Sequence, residues 1–123
     1  MVRLTLRVDL APSAAVGPGK IRLLELIAET GSISAAGRAM DMSYRRAWLL
    51  TDELNRLFKQ PVTTTKLGGK AGGGATLTAF GKKLVAEYRA MEAEAHKTLA
   101  KRLATLGAAL ARPPRRTSQN EEM

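Results

Sequence analysis

The first ten residues alternate between apolar and polar side chains. The apolar residues occupy every second position: Val2, Leu4, Leu6, Val8 and Leu10. A period of two places these side chains on one face of an extended chain, so the pattern predicts a half-buried strand. The following stretch, Ala11 to Gly19, contains two prolines and two glycines and is predicted to be a loop.

From Lys20 the apolar residues recur at three- and four-residue spacings, which are typical of buried amphipathic helices. Gly31 is placed to end a first helix in a left-handed conformation. Ser32 then predicts the N-cap of a short second helix that reaches about Met40. Asp41 follows at a break, and aspartate tolerates the left-handed backbone that a tight turn between helices requires.

Ser43 is the predicted N-cap of a third helix that extends to about Lys59 and ends before Pro61. Trp48 is predicted to lie in the core with this helix's other apolar residues. Those expected to point inward are Ala47, Leu50, Leu54, Leu57 and Phe58.

A β-prone stretch from Val62 to Leu67, a glycine-rich run and a second stretch from Ala75 to Leu77 predict a hairpin. Thr78 is the expected cap of a long last helix that runs to about Leu106. Such a helix measures ~40 Å at ~1.5 Å per residue, more than one small globule covers. Its apolar stripe therefore predicts a homodimer. The stripe comprises Phe80, Leu84, Tyr88, Met91, Ala95, Leu99, Leu103, Leu106 and Leu110.

The chain is strongly basic, with 20 Lys and Arg against 11 Asp and Glu and a formal net charge of +9. Between Glu53 and Glu87 there are six basic residues and no acidic one. A solvated face normally mixes both signs, so this distribution favours a polyanionic partner. The chain has no cysteine, which excludes disulfides and thiolate metal sites. No signal peptide or membrane span is visible, and we expect a cytoplasmic protein.

The segment from Gly31 to Trp48 contains most of the residues that the sequence predicts to contact a polyanion. A short helix, a tight turn and a second helix with a basic start predict a helix-turn-helix, whose second helix enters the DNA major groove by its N-terminal end. Ser43, Tyr44, Arg45 and Arg46 form that first turn. The arginines are candidates for bidentate guanine contacts, with phosphate or solvent contact as the alternative.

The other predicted DNA contacts have simpler alternatives too. Ser32 and Ser34 open the preceding helix, where backbone amides favour a phosphate, but they also fit a capping role, as Ser43 does. Tyr44 is expected to stack, to bind a phosphate or to pack on Met40. Lys66 and Lys70 flank a glycine loop whose backbone can approach a phosphate or groove wall closely.

The sequence argues against catalysis. A nucleotide-binding P-loop requires Lys-Ser or Lys-Thr at the start of a helix, whereas Lys70 is followed by Ala71 and a predicted strand. The single histidine, His96, is expected to face solvent without partners for a metal site or a catalytic triad. We therefore expect no enzyme activity, metal or cofactor.

Three features together resemble the N-terminal winged helix-turn-helix domain of ModE-type molybdate-dependent transcriptional regulators. They are Gly31 to Trp48, the GGKAGGGATLT stretch from Gly68 to Thr78, and Gly81. The helix-turn-helix portion is also similar to that of LysR-type regulators. The glycine-rich wing followed by the LTxxG pattern is the more specific part, and the resemblance covers about Lys20 to Met91.

The resemblance implies a mainly α fold with a small β component and a dimer held by the N-terminal strand and the long last helix. It also implies that double-stranded DNA is read by the second helix of the motif and by the wing. Full-length family members carry a further oxyanion-binding region, for which this chain has no room, so we do not expect it to sense molybdate. The expected organisation is a DNA-binding domain over residues 1–110 and a disordered tail over 111–123.

The sequence is also compatible with three other functions. A basic protein-interaction adaptor would use the long helix as its working surface, and a nucleoid-associated protein would bind DNA without sequence specificity. An RNA-binding protein fits less well, because the chain lacks the interleaved aromatic residues that stack on bases.

Overall fold

The computed structural model describes residues 2–66 and 74–111, with Lys66 described by its backbone alone. Within these ranges the chain forms strands β1 (Val8–Ala11) and β2 (Ala14–Val16), followed by helices α1 (Pro18–Thr30), α2 (Ile33–Ala39) and α3 (Tyr44–Leu57). Strands β3 (Thr63–Lys66) and β4 (Gly74–Leu77) and helix α4 (Ala79–Ala108) complete it. The predicted mainly helical fold with a small β component is confirmed. The element order is that of a winged helix-turn-helix.

The N-terminal segment differs from the prediction. Its alternating burial holds from Val2 to Asp9, but of the described residues before Pro12 only Val8–Ala11 form a hydrogen-bonded strand, β1, which pairs antiparallel with β2. Strand β2 lies where a loop was predicted, because Pro12 and Ser13 form a tight turn between the strands. The register shifts between Asp9 and Ala11, and Leu10 is 45% exposed instead of facing inward.

The predicted end of α1 and the predicted starts of α2, α3 and α4 rest on local capping, and the structure confirms them, whereas α3 ends at Leu57, before the predicted Lys59. Gly31 ends α1 in a left-handed conformation with φ of 73°, and its N–H donates to Ile27 O at 2.8 Å. Helix α1 begins at Pro18, slightly before the predicted start, because proline suits the first helical position. Thr78 caps α4, since its Oγ1 accepts from Gly81 N at 2.9 Å.

Two compact units make up the described chain, one formed by residues 5–92 and the other by residues 2–4 with 93–111. The core of the first unit is formed by apolar side chains from α1, α2 and α3, from the hairpin β3–β4 and from the start of α4. Tyr88 is buried there, and its hydroxyl donates to Leu6 O at 2.8 Å. The largest fully buried aliphatic side chains of this core are Val16, Ile21, Leu23, Leu24, Ile27, Leu54 and Val62.

In the second unit the C-terminal half of α4 accompanies the first residues of the chain. His96 is exposed, as predicted, and its Nε2 lies 3.0 Å from Leu4 O. Val2 lies beside Gly107, where an added Cβ would be 3.2 Å from Val2 Cγ2. Leu106 and Leu110 are 61% and 48% exposed, so the apolar stripe of α4 stays largely uncovered at this end.

Candidate nucleic-acid interface

Helices α2 and α3 are joined by a tight turn. Asp41 has φ of 60°, so the predicted left-handed aspartate is confirmed. The N–H of Met42 donates to Gly37 O at 2.9 Å and closes the turn. A Cβ on Gly37 would lie 2.9 Å from Ala47 Cβ, closer than real side chains pack. The absence of a side chain at Gly37 therefore fixes how closely α2 and α3 approach.

Serines cap both helices of the motif. Ser32 Oγ accepts from Ala35 N at 3.0 Å, and Ser43 Oγ accepts from Arg46 N at 3.1 Å. The capping interpretation of these two serines is therefore confirmed. Their hydroxyls keep the first turns of α2 and α3 intact, where unpaired backbone amides point out of the helix.

Ser34 has a role that sequence reasoning missed. Its Oγ accepts a hydrogen bond at 2.9 Å from Nη1 of Arg38, one turn further along α2. Arg38 is exposed and lies near the start of the turn that leads to α3. The four-residue spacing was the available signal, because residues four apart are neighbours on a helix surface.

The first turn of α3 presents its cations to solvent. Tyr44 is 57% exposed, and Arg45 and Arg46 are exposed, whereas Ala47 is fully buried. Neither arginine forms an ion pair with any residue in the described ranges. The acidic residues further along α3 are paired: Asp52 with Arg56 at 3.0 Å and Glu53 with Lys20 at 3.2 Å. The N-terminal end of α3 is therefore its unneutralised, cationic end.

Trp48 does not lie in the core, and the prediction that it does was wrong. It is 43% exposed, while the buried residues of α3 are Ala47, Thr51 and Leu54. Trp48 lies about 100° around the helix from Ala47, outside this narrow face. Tyr44, Arg45 and Trp48 instead line an open depression of about 350 Å³ on the surface.

The inward face of α3 otherwise follows the prediction. Leu50, Leu57 and Phe58 are partly buried against the core. The centroids of the Phe58 and Phe80 rings lie 5.1 Å apart. Thr51 is a buried polar residue that the apolar pattern did not reveal. Its Oγ1 donates to Ala47 O at 2.8 Å, which satisfies the hydroxyl within its own helix.

The hairpin β3–β4 is anchored to α3 and to the C-cap of α1, where the motif begins. Asn55 Oδ1 on α3 accepts from Val62 N at 2.8 Å and from Thr63 N at 3.0 Å. On the other strand, Ala75 N donates to Gly31 O at 2.9 Å. A Cβ on Gly74 would lie 2.7 Å from that same oxygen, which explains the last glycine of the run.

The predicted lysines of the wing fall at the limit of the described residues. Lys66 pairs with Gly74 at the end of the hairpin. Lys70 and the loop around it, residues 67–73, lie outside the described residues, as does the tail from residue 112. The glycine of the LTxxG pattern, Gly81, is explained by packing, because a Cβ there would overlap Val62 O.

A cluster of ion pairs joins α1 to α4. Arg89 contacts Glu25 at 2.8 Å and Glu92 at 2.7 Å, and Glu25 and Glu29 also pair with Arg22. The hydrogen bond from Arg89 lowers the pKa of the Glu25 carboxyl, against the opposing effect of burial. The hydrogen bonds to Glu25 and Glu92 raise the pKa of Arg89, and burial raises the pKa of Tyr88. In these contacts the acidic residues Glu25, Glu29 and Glu92 are therefore neutralised by neighbouring arginines.

In residues 2–66 and 74–111 no three His, Cys, Asp or Glu side chains are grouped as a metal ion requires. Over the same ranges no helix combines the length and the apolar character that crossing a bilayer demands.

The chain is similar to several curated proteins. It is 49% identical over 86 residues to the molybdenum-pterin-binding protein MopB of Rhodobacter capsulatus, covering 70% of this chain and 32% of that protein. It is 38% identical over 99 residues to the molybdenum transport protein ModE of Azotobacter vinelandii, covering 80% of this chain and 36% of the relative.

It is also 41% identical over 71 residues to the DNA-binding transcriptional dual regulator ModE of Escherichia coli strain K12, covering 58% and 27% of the two chains. No family model matches the chain. The chain spans about a third of the length of the curated relatives it matches. The names of these relatives support the ModE-like resemblance, and several of them are named as transcriptional regulators.

Proposed function

We propose that this protein is a sequence-specific transcriptional regulator of the ModE-like type that binds double-stranded DNA as a homodimer and has no enzymatic activity. The observation that carries the proposal is the tip of α3. Two exposed arginines without ion partners among the described residues stand beside a capping serine at the start of that helix. This is the part of a helix-turn-helix that enters the major groove.

In this proposal each group of site residues has a role. Arg45 and Arg46 contact guanine edges or the phosphates beside them, and Tyr44 contacts the adjoining backbone. Phosphates are contacted by Ser32 and Ser34 at the start of α2 and by Ser43 at the start of α3. These contacts are in addition to the capping by Ser32 and Ser43 and the hydrogen bond that Ser34 accepts from Arg38. Lys66 and Lys70 of the wing contact the phosphates of the neighbouring groove.

The anchoring of the hairpin supports a joint action of helix and wing. Asn55 bonds α3 to β3, and Gly31 bonds the start of the motif to β4. On each side of the hairpin, therefore, a backbone amide donates a hydrogen bond to the neighbouring element, to the Asn55 side chain on one side and to the Gly31 carbonyl on the other. Because β3 and β4 are already held in place, the ordering of these two strands adds no cost to the free energy of DNA binding.

The proposed homodimer rests on α4. This helix has 30 residues, a length of ~45 Å at ~1.5 Å per residue. Met91, Leu106 and Leu110 are large apolar side chains on it that remain exposed. Burial of this stripe against a second copy removes it from water and places two α3 helices about a dyad. The DNA site is then an inverted repeat with half-sites spaced by ~10 base pairs or a multiple.

The experiment that tests the function is selection of bound duplexes from a random DNA pool by the full chain, with and without molybdate. We expect an inverted-repeat site, and an affinity that falls with salt at a log-log slope near −0.9 per phosphate contacted. Enrichment of no sequence, with salt-dependent binding retained, would identify a nucleoid-type protein. A slope near zero would identify the adaptor.

A further inference from the structure

The exposed face of α3 carries large apolar side chains that the proposed arginine contacts do not use. Tyr44, Trp48 and Leu49 are 57%, 43% and 47% exposed. The four-residue spacings from Tyr44 to Trp48 and from Arg45 to Leu49 make them surface neighbours. Apolar side chains grouped in this way typically mark a contact site.

The chemistry of this face is both apolar and cationic. Arg45 borders the same open depression as the rings of Tyr44 and Trp48. Between Asp41 and Asp52 the sequence has no acidic residue. A partner that fits this face of α3 must offer hydrogen-bond acceptors to the Arg45 guanidinium and, directly beside them, an apolar group for the rings. In the major groove of DNA, guanine offers two acceptors and thymine offers a methyl group.

We propose that Trp48 and Leu49 contact thymine C5-methyl groups next to the guanine that Arg45 binds. This inference rests on the proposed DNA-binding function and adds to it which bases the site contains. Along the helix axis, Leu49 follows Arg45 by ~6 Å. Successive bases lie ~3.4 Å apart, so the thymines fall within about two base pairs of the guanine.

Deoxyuridine provides the test, because it pairs like thymine but lacks the methyl group. The full chain is titrated with duplexes of the selected site in which one thymine at a time is replaced by deoxyuridine. We expect about a fourfold loss of affinity at one or two thymines beside the guanine, as for one buried methyl-sized group. At these positions, Trp48→Ala or Leu49→Ala removes the difference between thymine and deoxyuridine.

Arg56→Ala is the control, because Arg56 is exposed on the same helix and pairs with Asp52. This variant keeps the preference for thymine, and thermal melting verifies that all three variants are folded.

The outcomes separate this inference from the function on which it rests. If the wild-type chain binds no duplex DNA, both fail. If it binds and every deoxyuridine duplex binds as well as the thymine duplex, the inference alone is overturned. A thymine preference that survives in both α3 variants overturns it as well. If Trp48→Ala or Leu49→Ala keeps its DNA affinity but loses self-association, this face is a protein contact and the inference is also overturned.

Discussion

Asn55 and Thr63 are joined by two hydrogen bonds that connect the proposed recognition helix to the wing. Asn55 Oδ1 accepts from Thr63 N at 3.0 Å, and Asn55 Nδ2 donates to Thr63 Oγ1 at 3.0 Å. The same carbonyl oxygen accepts from Val62 N. One side chain therefore satisfies two backbone amides where the chain leaves α3 and enters the hairpin.

Replacing Asn55 by leucine should weaken folding and DNA binding together. The variant leaves the Val62 and Thr63 amides without their acceptor, at a cost of ~1–3 kcal/mol for each buried unpaired group. Urea denaturation measures the stability, and anisotropy titration with the selected duplex measures the affinity. Asn55→Asp retains the acceptor oxygen and loses only the donor, so a loss as large as that of the leucine variant would contradict this account.

Arg45→Ala should lower affinity by ~1–3 kcal/mol and relax the preference at one base position, if this arginine reads guanine. Lys70→Ala should instead weaken binding to all sequences alike, because a phosphate contact carries no sequence information. Footprinting of both variants on the selected and scrambled sites distinguishes them. Arg56→Ala is the control on the same helix, since Arg56 pairs with Asp52. Equal loss by Arg45→Ala on every sequence would refute base readout by this residue.

Gly37→Ala should destabilise the fold by ~1–3 kcal/mol, because the added Cβ overpacks the contact between α2 and α3. The space it needs is taken by Ala47 Cβ, 2.9 Å away. The double variant Gly37→Ala with Ala47→Gly should recover part of this loss, beyond the sum of the single effects. Chemical denaturation of the four proteins forms a double-mutant cycle, and strictly additive effects would exclude a direct clash.

Glu25 should make stability dependent on acid pH. Hydrogen bonding to Arg89 places its folded-state pKa below the usual value of 4.5. The stabilisation is therefore fully present above that value and is lost as the pH falls through the lower, folded-state pKa. Unfolding in urea at pH 7 and near pH 3 should show a smaller decline in Glu25→Gln than in the wild type. Parallel declines would show that the Glu25–Arg89 pair makes no pH-dependent contribution.

Leu106→Asp should convert the proposed dimer into a monomer and weaken binding to the inverted repeat, because it puts a charge into the apolar stripe of α4. Sedimentation equilibrium measures the mass. Ala104→Asp adds the same charge at another exposed position two residues away, on the opposite side of the helix, and should leave the dimer intact. A monomeric wild-type chain, or dissociation by both variants, would contradict the assigned face.

Local sequence determined the helix ends and the chemistry of the α3 tip. Ser32, Ser43 and Thr78 cap the helices that follow them, and Gly31 and Asp41 adopt left-handed backbone, because these effects involve only residues within one turn. The cationic start of α3 could likewise be predicted, since it consists of consecutive residues.

Tertiary packing decided the rest, because those features depend on residues far apart in the chain or on the space left between elements. Gly37 lets α2 approach α3 closely at Ala47. The buried face of α3 is narrow, and the Trp48 indole lies outside it on the surface. The sequence pattern does not distinguish Asn55 from other polar residues of α3. Its role depends on the fold, which brings the amides of Val62 and Thr63 within hydrogen-bonding distance of its side chain. Apolar periodicity shows which residues can be buried, but the shape of the neighbouring elements determines which of them fit.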